Sequence, residues 1–196
     1  MLFKEKRMID FKKLLSSVLL LLMQPAKAWL YVSRKRDKSG MLNSFLYPLM
    51  ILSGVAVLLG KVFGSGFGVE SFFPAAVRTV VVVLTMYLTY HLASYMVLKL
   101  TEKFAPNKAQ LSHLLTGYSM VVVLVLELCL GLFPNFRIIG WIAQFYTVKI
   151  VWDGAAVLMR IPEERRLSFT MIVSVVIIFM PLLLGRIMSL LSVSIV

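Results

Sequence analysis

The sequence predicts an all-α integral membrane protein: a five-helix transmembrane bundle preceded by an amino-terminal interfacial amphipathic helix. Three observations lead there. The 196 residues are 60% hydrophobic with a mean hydropathy of +0.89, more apolar surface than so short a chain can hide inside itself. The apolar residues fall into five runs long enough to cross a bilayer. The charges, only 15% of residues, are clumped at the ends of those runs.

Residues 1–41 form a basic cytoplasmic and interfacial segment. Basic residues, among them Lys12 and Lys13, lead into an apolar stretch from Leu14 to Met23, and Gln24-Pro25-Ala26-Lys27-Ala28 follows. This imitates a secretory signal with an A-x-A cleavage site. Lys27 beside the cleavage point and the cluster Arg34, Lys35, Arg36 just beyond resist translocation. The segment is therefore expected to stay on the protein as a helix too short to span, ending near Pro25 and lying on the membrane surface. Trp29 and Tyr31 are expected at headgroup level.

Residues 42–196 hold the five spans, at about 45–63, 74–98, 114–133, 138–158 and 168–192. Backbone groups in lipid must be satisfied within a segment, so each run reads as a helix. Gly64-Ser65-Gly66-Phe67-Gly68 has neither the Lys-Ser/Thr nor the preceding strand of a phosphate loop and reads as a flexible connection. Pro74 opens the second span, where proline is tolerated. Pro134-Asn135 reads as a tight turn.

Charge placement sets the topology. Of the 21 Lys and Arg, ten precede residue 40, three lie in the 99–113 loop and three in the 160–166 loop, so sixteen share one side. That side is expected to be cytoplasmic, with the amino terminus inside, the carboxyl terminus outside and the protein in the cell inner membrane. The net charge of +12 then faces anionic phospholipid rather than nucleic acid.

Ionisable residues inside spans are costly and are the first candidates for function. They are His91, Glu127, Lys149, Asp153 and Arg186, with Arg78 nearer the outer surface. Glu127 and Arg186 stand at matched depth, about 10 Å below the outer edge at the usual helical rise, and are expected to pair, with Lys149 or Arg78 as competitors. Lys149 and Asp153 are i,i+4 neighbours and share a face, expected to point into the bundle, with Trp152 directed elsewhere. The lone Cys129 forms no intramolecular disulfide and reads as a packing or lipid-facing residue. No metal, cofactor or catalytic spacing is present in the sequence.

Two segments resemble a known family. Tyr146-Thr147-Val148-Lys149-Ile150-Val151-Trp152-Asp153-Gly154, followed by Leu158-Met159-Arg160-Ile161-Pro162-Glu163-Glu164-Arg165-Arg166, resembles the Yip-domain family of Ypt-interacting membrane proteins. The spacing of Pro25 and Trp29, and Tyr47-Pro48, resemble its bacterial members. The resemblance implies a five-span membrane protein, and the lack of catalytic spacing leads to the expectation that it is non-enzymatic. Eukaryotic relatives act in vesicle traffic and bind prenylated small GTPases, a role linked to an acidic amino-terminal Asp-Leu-Tyr-Gly-Pro motif. This chain has a basic amino terminus and no such motif, so a bacterial inner-membrane protein is implied. The function expected is membrane organisation or interaction with a protein partner or a second copy of the chain. The alternative is a small transporter or channel that uses the intramembrane charges.

Overall fold

A computed structural model describes residues 11–65 and 69–193. The Lys4-to-Arg7 part of the basic segment and Gly66-Phe67-Gly68 of the glycine-rich connection lie outside the described residues. The described residues are helical almost throughout. The elements are α1 (Phe11–Met23), α2 (Pro25–Lys35), α3 (Lys38–Met41), a π-helical segment (Leu42–Leu46), α4 (Tyr47–Ser65), α5 (Val69–Phe104), α6 (Ser112–Ser119), α7 (Val121–Leu132), α8 (Arg137–Gln144), α9 (Tyr146–Val157) and α10 (Glu163–Val193). Short 3₁₀ turns at Pro106–Leu111 and Pro134–Phe136 open the segments of α6 and α8.

Four stretches are long and apolar enough to cross a membrane: Lys38–Gly64, Phe72–Phe104, Pro106–Leu132 and Glu163–Leu191. They match the expected first, second, third and fifth spans, the third and fifth falling one residue short of the expected ends, and each extends further at the end where the polar residues lie. The expected fourth span is not one helix. It divides at Phe145 into α8 and α9, of 8 and 12 residues.

Side-chain contacts fix the direction of each helix. Ser53 donates to the carbonyls of Leu49 and Leu124, both at 2.9 Å, and Gly60 packs on Gly131. The matching order of these pairs makes α4 and α7 run parallel. Thr79 on α5 reaches back to the Gly54 carbonyl, so α5 is antiparallel to α4. The rings of Phe104 and Phe169 meet at 5.6 Å at one end of α5 and α10, and Gly185 lies by Thr85 toward the other. Hence α10 is antiparallel to α5. Because α7 and α10 run the same way, α8 and α9 carry the chain back between them. Lys99, Lys103, Lys108, Arg160, Arg165 and Arg166 thus gather at one end of the bundle, here termed the basic end.

Three reversals share one device. Gln24, Ala105 and Phe133 each precede a proline and take nearly the same non-helical conformation, with φ/ψ of −139/63°, −152/71° and −129/77°. The residue before proline is driven out of the helical region, while proline itself suits the first turn of the next helix. In each, the N–H of that residue still closes the outgoing helix, on Leu20, Thr101 and Cys129. One helix therefore ends and another begins within a single residue. At Gln24 this turns the chain from α1 into α2, and the two helices stay in contact as a unit here termed the hairpin. The helix expected to end near Pro25 ends at Met23, and a second short helix follows it.

The core runs from Leu14, Val18 and Leu21 of α1 through Trp29 and Val32 of α2 into the bundle, where Leu115, Leu124, Ile150, Phe169 and Ile177 are wholly buried. Leu14, Val18 and Leu21 recur at the spacing of one helix face. On α5 and α10, which pack together, many of the buried residues are small or hydroxylated: Thr89, Ala93, Ser94 and Thr101 on α5, and Thr170 and Ser174 on α10. Small side chains let apolar helices approach closely where no hydrophobic effect drives them together.

Candidate functional site: a clamped hairpin and two charged cavities

Trp29 does not lie at the surface, as the aromatic-belt expectation had it. It is fully buried, and its indole N–H donates to the Ile150 carbonyl at 2.9 Å. Its ring lies over Gly154, where a Cβ would collide with both the indole and Leu115, and it meets Tyr118 edge-on at 6.0 Å. The pocket exists because Gly154 has no side chain. A second tie lies one hairpin turn away: the Tyr146 hydroxyl donates to the Leu22 carbonyl at 2.6 Å. That carbonyl is in the last turn of α1, and proline at 25 leaves helix-end acceptors without their usual donors. Tyr31, by contrast, is exposed.

These ties also fix the hairpin's depth. Its tip sits beside the first residue of α9, and α2 then runs along α9 toward the basic end. The cations Lys12, Lys13, Lys27, Arg34, Lys35 and Arg36 are all exposed on it. Arg36 caps α2 in the left-handed region and bonds Val32 and Ser33. Asp37 then starts α3 by accepting from the Gly40 N–H at 2.8 Å.

Of the five intramembrane ionisable residues, the structure brings two together. Lys149 Nζ lies 2.8 Å from Asp153 Oδ1. Asp153 faces inward and is only 11% exposed, but the Lys149 side chain is 55% exposed, so its expected inward orientation is not what is found. The i,i+4 spacing lets the ammonium fold along the helix to the carboxylate while the stem stays outside. Trp152 does point elsewhere: the Arg166 guanidinium sits over its ring at 5.5 Å. Arg166 also donates to the Ile161 carbonyl and lies 3.6 Å from Glu163. This pins the turn into α10, where Arg160 takes a left-handed conformation with φ of 54°.

Glu127 lines two adjoining cavities in the half of the bundle away from the basic end. One, of about 570 Å³, lies among α4, α7 and α8 and includes Lys61, Arg78, Trp141 and Gln144. The other, of about 460 Å³, lies among α5, α7 and α10 and includes Arg78, Thr85, Pro181 and Ser189. Arg78, and not Arg186, is the cation that shares both cavities with Glu127. Arg186 is exposed on α10, on the residue after Gly185 of the second cavity. Depth matching alone had favoured Arg186, because it took no account of which face of α10 turns inward. His91 is exposed, with its ring against Tyr87 at 4.4 Å and Tyr90 at 5.1 Å. It stays apart from the Lys149–Asp153 pair.

Sequence reasoning gave Tyr146 no structural role and placed Trp29 at headgroup level, although both belong to the segments that carry the family resemblance. Those segments, distant in the chain, are the ones that clamp together here. No group of three or more His, Cys, Asp or Glu side chains able to hold a metal occurs among the described residues. No curated protein and no solved structure matches the chain. The model of the Yip1 domain family matches residues 19–185, from the middle of α1 to near the end of α10, and the chain belongs to that family.

Proposed function

We propose that this protein is a non-enzymatic, multi-pass Yip-type protein of a bacterial inner membrane, with a membrane-organising or protein-interaction role. The observation that carries the reading is the Lys149–Asp153 pair, held on one helix and apart from both cavities. Its ammonium and carboxylate satisfy one another at 2.8 Å, and the described lining of the two cavities includes neither residue, nor His91. A conduction path needs charges that line a path and exchange partners with water or cargo; an i,i+4 pair that lines neither cavity fixes packing. In this reading the bundle crosses the membrane five times, with α8 and α9 together as the fourth crossing. Support comes from the parallel courses of α7 and α10, which require a return between them. The gathering of cations at the basic end supports a cytoplasmic placement of that end, with the carboxyl terminus outside.

The rival reading, a small transporter, draws on the two cavities that share Arg78 and Glu127. One experiment separates them. Protein purified in mild detergent is cross-linked and captured with its neighbours, and a second portion is reconstituted for proton and ion flux. A stoichiometric partner or homo-oligomer without flux supports the organising role. Flux that disappears in folded Glu127→Gln or Arg78→Gln variants overturns it.

A further inference from the structure

The α1–α2 hairpin carries an apolar surface that nothing in the bundle covers. Phe11, Leu15, Leu19, Met23, Leu30 and Tyr31 are exposed, Met23 to 76%. The same hairpin buries its other face on α7 and α9, so the exposed side is what the fold leaves to its surroundings. At 13 and 11 residues, the two helices are roughly 20 and 16 Å long at the usual rise per residue. Neither can cross about 30 Å of hydrocarbon. The Tyr146–Leu22 bond holds the tip at the start of α9, and both open ends carry cations: Lys12 and Lys13 on one arm, Arg34, Lys35 and Arg36 on the other.

This geometry has one environment that satisfies all of it. Apolar side chains along both helices enter acyl chains, Lys27 near the tip reaches the interface on its apolar stem, and the cations at the open ends meet phosphate headgroups of the same leaflet. The opposite leaflet receives no equivalent volume. We propose that the α1–α2 hairpin is a one-leaflet wedge, seated in anionic phospholipid, that concentrates the protein where the leaflet at the basic end is convex. The proposal rests on the membrane-organising reading and gives it a physical means: two added helices on one side relieve the packing defects of a convex leaflet. The clamp on Ile150 and Gly154 couples the wedge rigidly to the spans, so the whole molecule follows the hairpin.

The test uses full-length protein in giant vesicles of phosphatidylcholine with phosphatidylglycerol, from which narrow membrane tubes are drawn. A single Asn107→Cys label, in a Cys129→Ser background, is attached with an impermeant dye. Only molecules with the basic end on the outer, convex leaflet are then seen. The expected result is a label density in the tube roughly twofold or more above that of the parent vesicle, as for curvature-sensitive insertions. The triple variant Leu15→Ser, Leu19→Ser, Met23→Ser changes lipid-facing positions only and should lose that enrichment while melting like the parent. Equal density in tube and vesicle for the parent overturns the wedge. So does enrichment that survives in the triple variant. Either failure leaves partner capture and flux, the measures of the proposed function, untouched. If the triple variant melts early, Lys12→Gln with Lys13→Gln in the same tubes provides the second reading, with loss supporting and retention opposing.

Discussion

The Trp29 indole N–H and the Ile150 carbonyl meet at 2.9 Å, across 121 residues of chain. The bond joins the amino-terminal hairpin to α9, the second half of the divided 137–157 segment, and it forms in a wholly buried place. A buried hydrogen bond contributes modestly, but the packing around this one is dense.

Replacing Trp29 by Phe should remove the bond and part of the ring, lowering stability in detergent by about 1–3 kcal/mol, the range for a lost buried partner. Gly154→Val should cost more than a typical surface change, about 1–3 kcal/mol for overpacking, because its Cβ meets both Trp29 and Leu115. The two sites touch, so their effects should not add. Thermal unfolding of both single variants and the double variant measures this. Additive losses would mean that the indole does not rest on Gly154.

Tyr146→Phe keeps the ring and deletes only the hydroxyl that donates to Leu22. The expected loss is about 1 kcal/mol, concentrated at the hairpin turn rather than spread through the bundle. Amide hydrogen exchange should quicken at Gln24 and its neighbours in α1, while α5 and α10 stay as protected as before. Uniform acceleration would show that this contact supports the whole bundle.

The Lys149–Asp153 pair is asymmetric, and so should be the response to losing either partner. Lys149→Met leaves a nearly buried carboxylate without its cation. Asp153→Asn leaves an ammonium whose stem is already half outside and can turn to water or headgroups. Lys149→Met should therefore be the more destabilising, and adding Asp153→Asn to it should restore part of the loss. Urea or thermal unfolding of the set decides it. Equal effects from the two single variants would show that both side chains reach water.

Much of the architecture is legible in the sequence, because long apolar runs bounded by charge have few alternatives in lipid. The break at Phe145 is not. Residues 138–158 form a mostly apolar run, with Gln144, Lys149 and Asp153 inside it and neither proline nor a central glycine pair to mark a boundary. The division is set by packing, since α8 turns on Leu130 through Gly140 while α9 follows α2 and α10. Trp29 was misplaced for a related reason. A tryptophan near basic residues fits the interfacial rule, and the glycine that admits it lies far along the chain. The Lys149–Asp153 pair was readable because it is local, an i,i+4 contact on one helix. The Glu127 environment was not, because it depends on how α4, α5, α8 and α10 meet around α7.

Gly60 and Gly131 supply the last prediction. They bring α4 and α7 into backbone contact: a Cβ on Gly60 would collide with the Gly131 carbonyl, and one on Gly131 would crowd the backbone of Ala56 and Val57. The obstructing atoms are main chain, so no rotamer change can make room. The two helices must separate, and with them the Ser53 hydroxyl leaves the Leu124 carbonyl, 2.9 Å away. Gly60→Ala should therefore destabilise despite the higher helix propensity of alanine, by more than the roughly 1 kcal/mol that propensity returns. Gly64→Ala, on the same helix with open space around it, is the control and should be neutral or mildly stabilising. The cavity beside α4 is lined by both Gly60 and Gly131, so the separation should also widen it. Cysteines placed at Leu126 and Val57 would report this as faster labelling by a small thiol reagent in the Gly60→Ala background than in a parent carrying the same cysteines. A Gly60→Ala protein as stable as the Gly64→Ala control, with unchanged labelling, would show that the α4–α7 crossing is looser than its backbone contact implies.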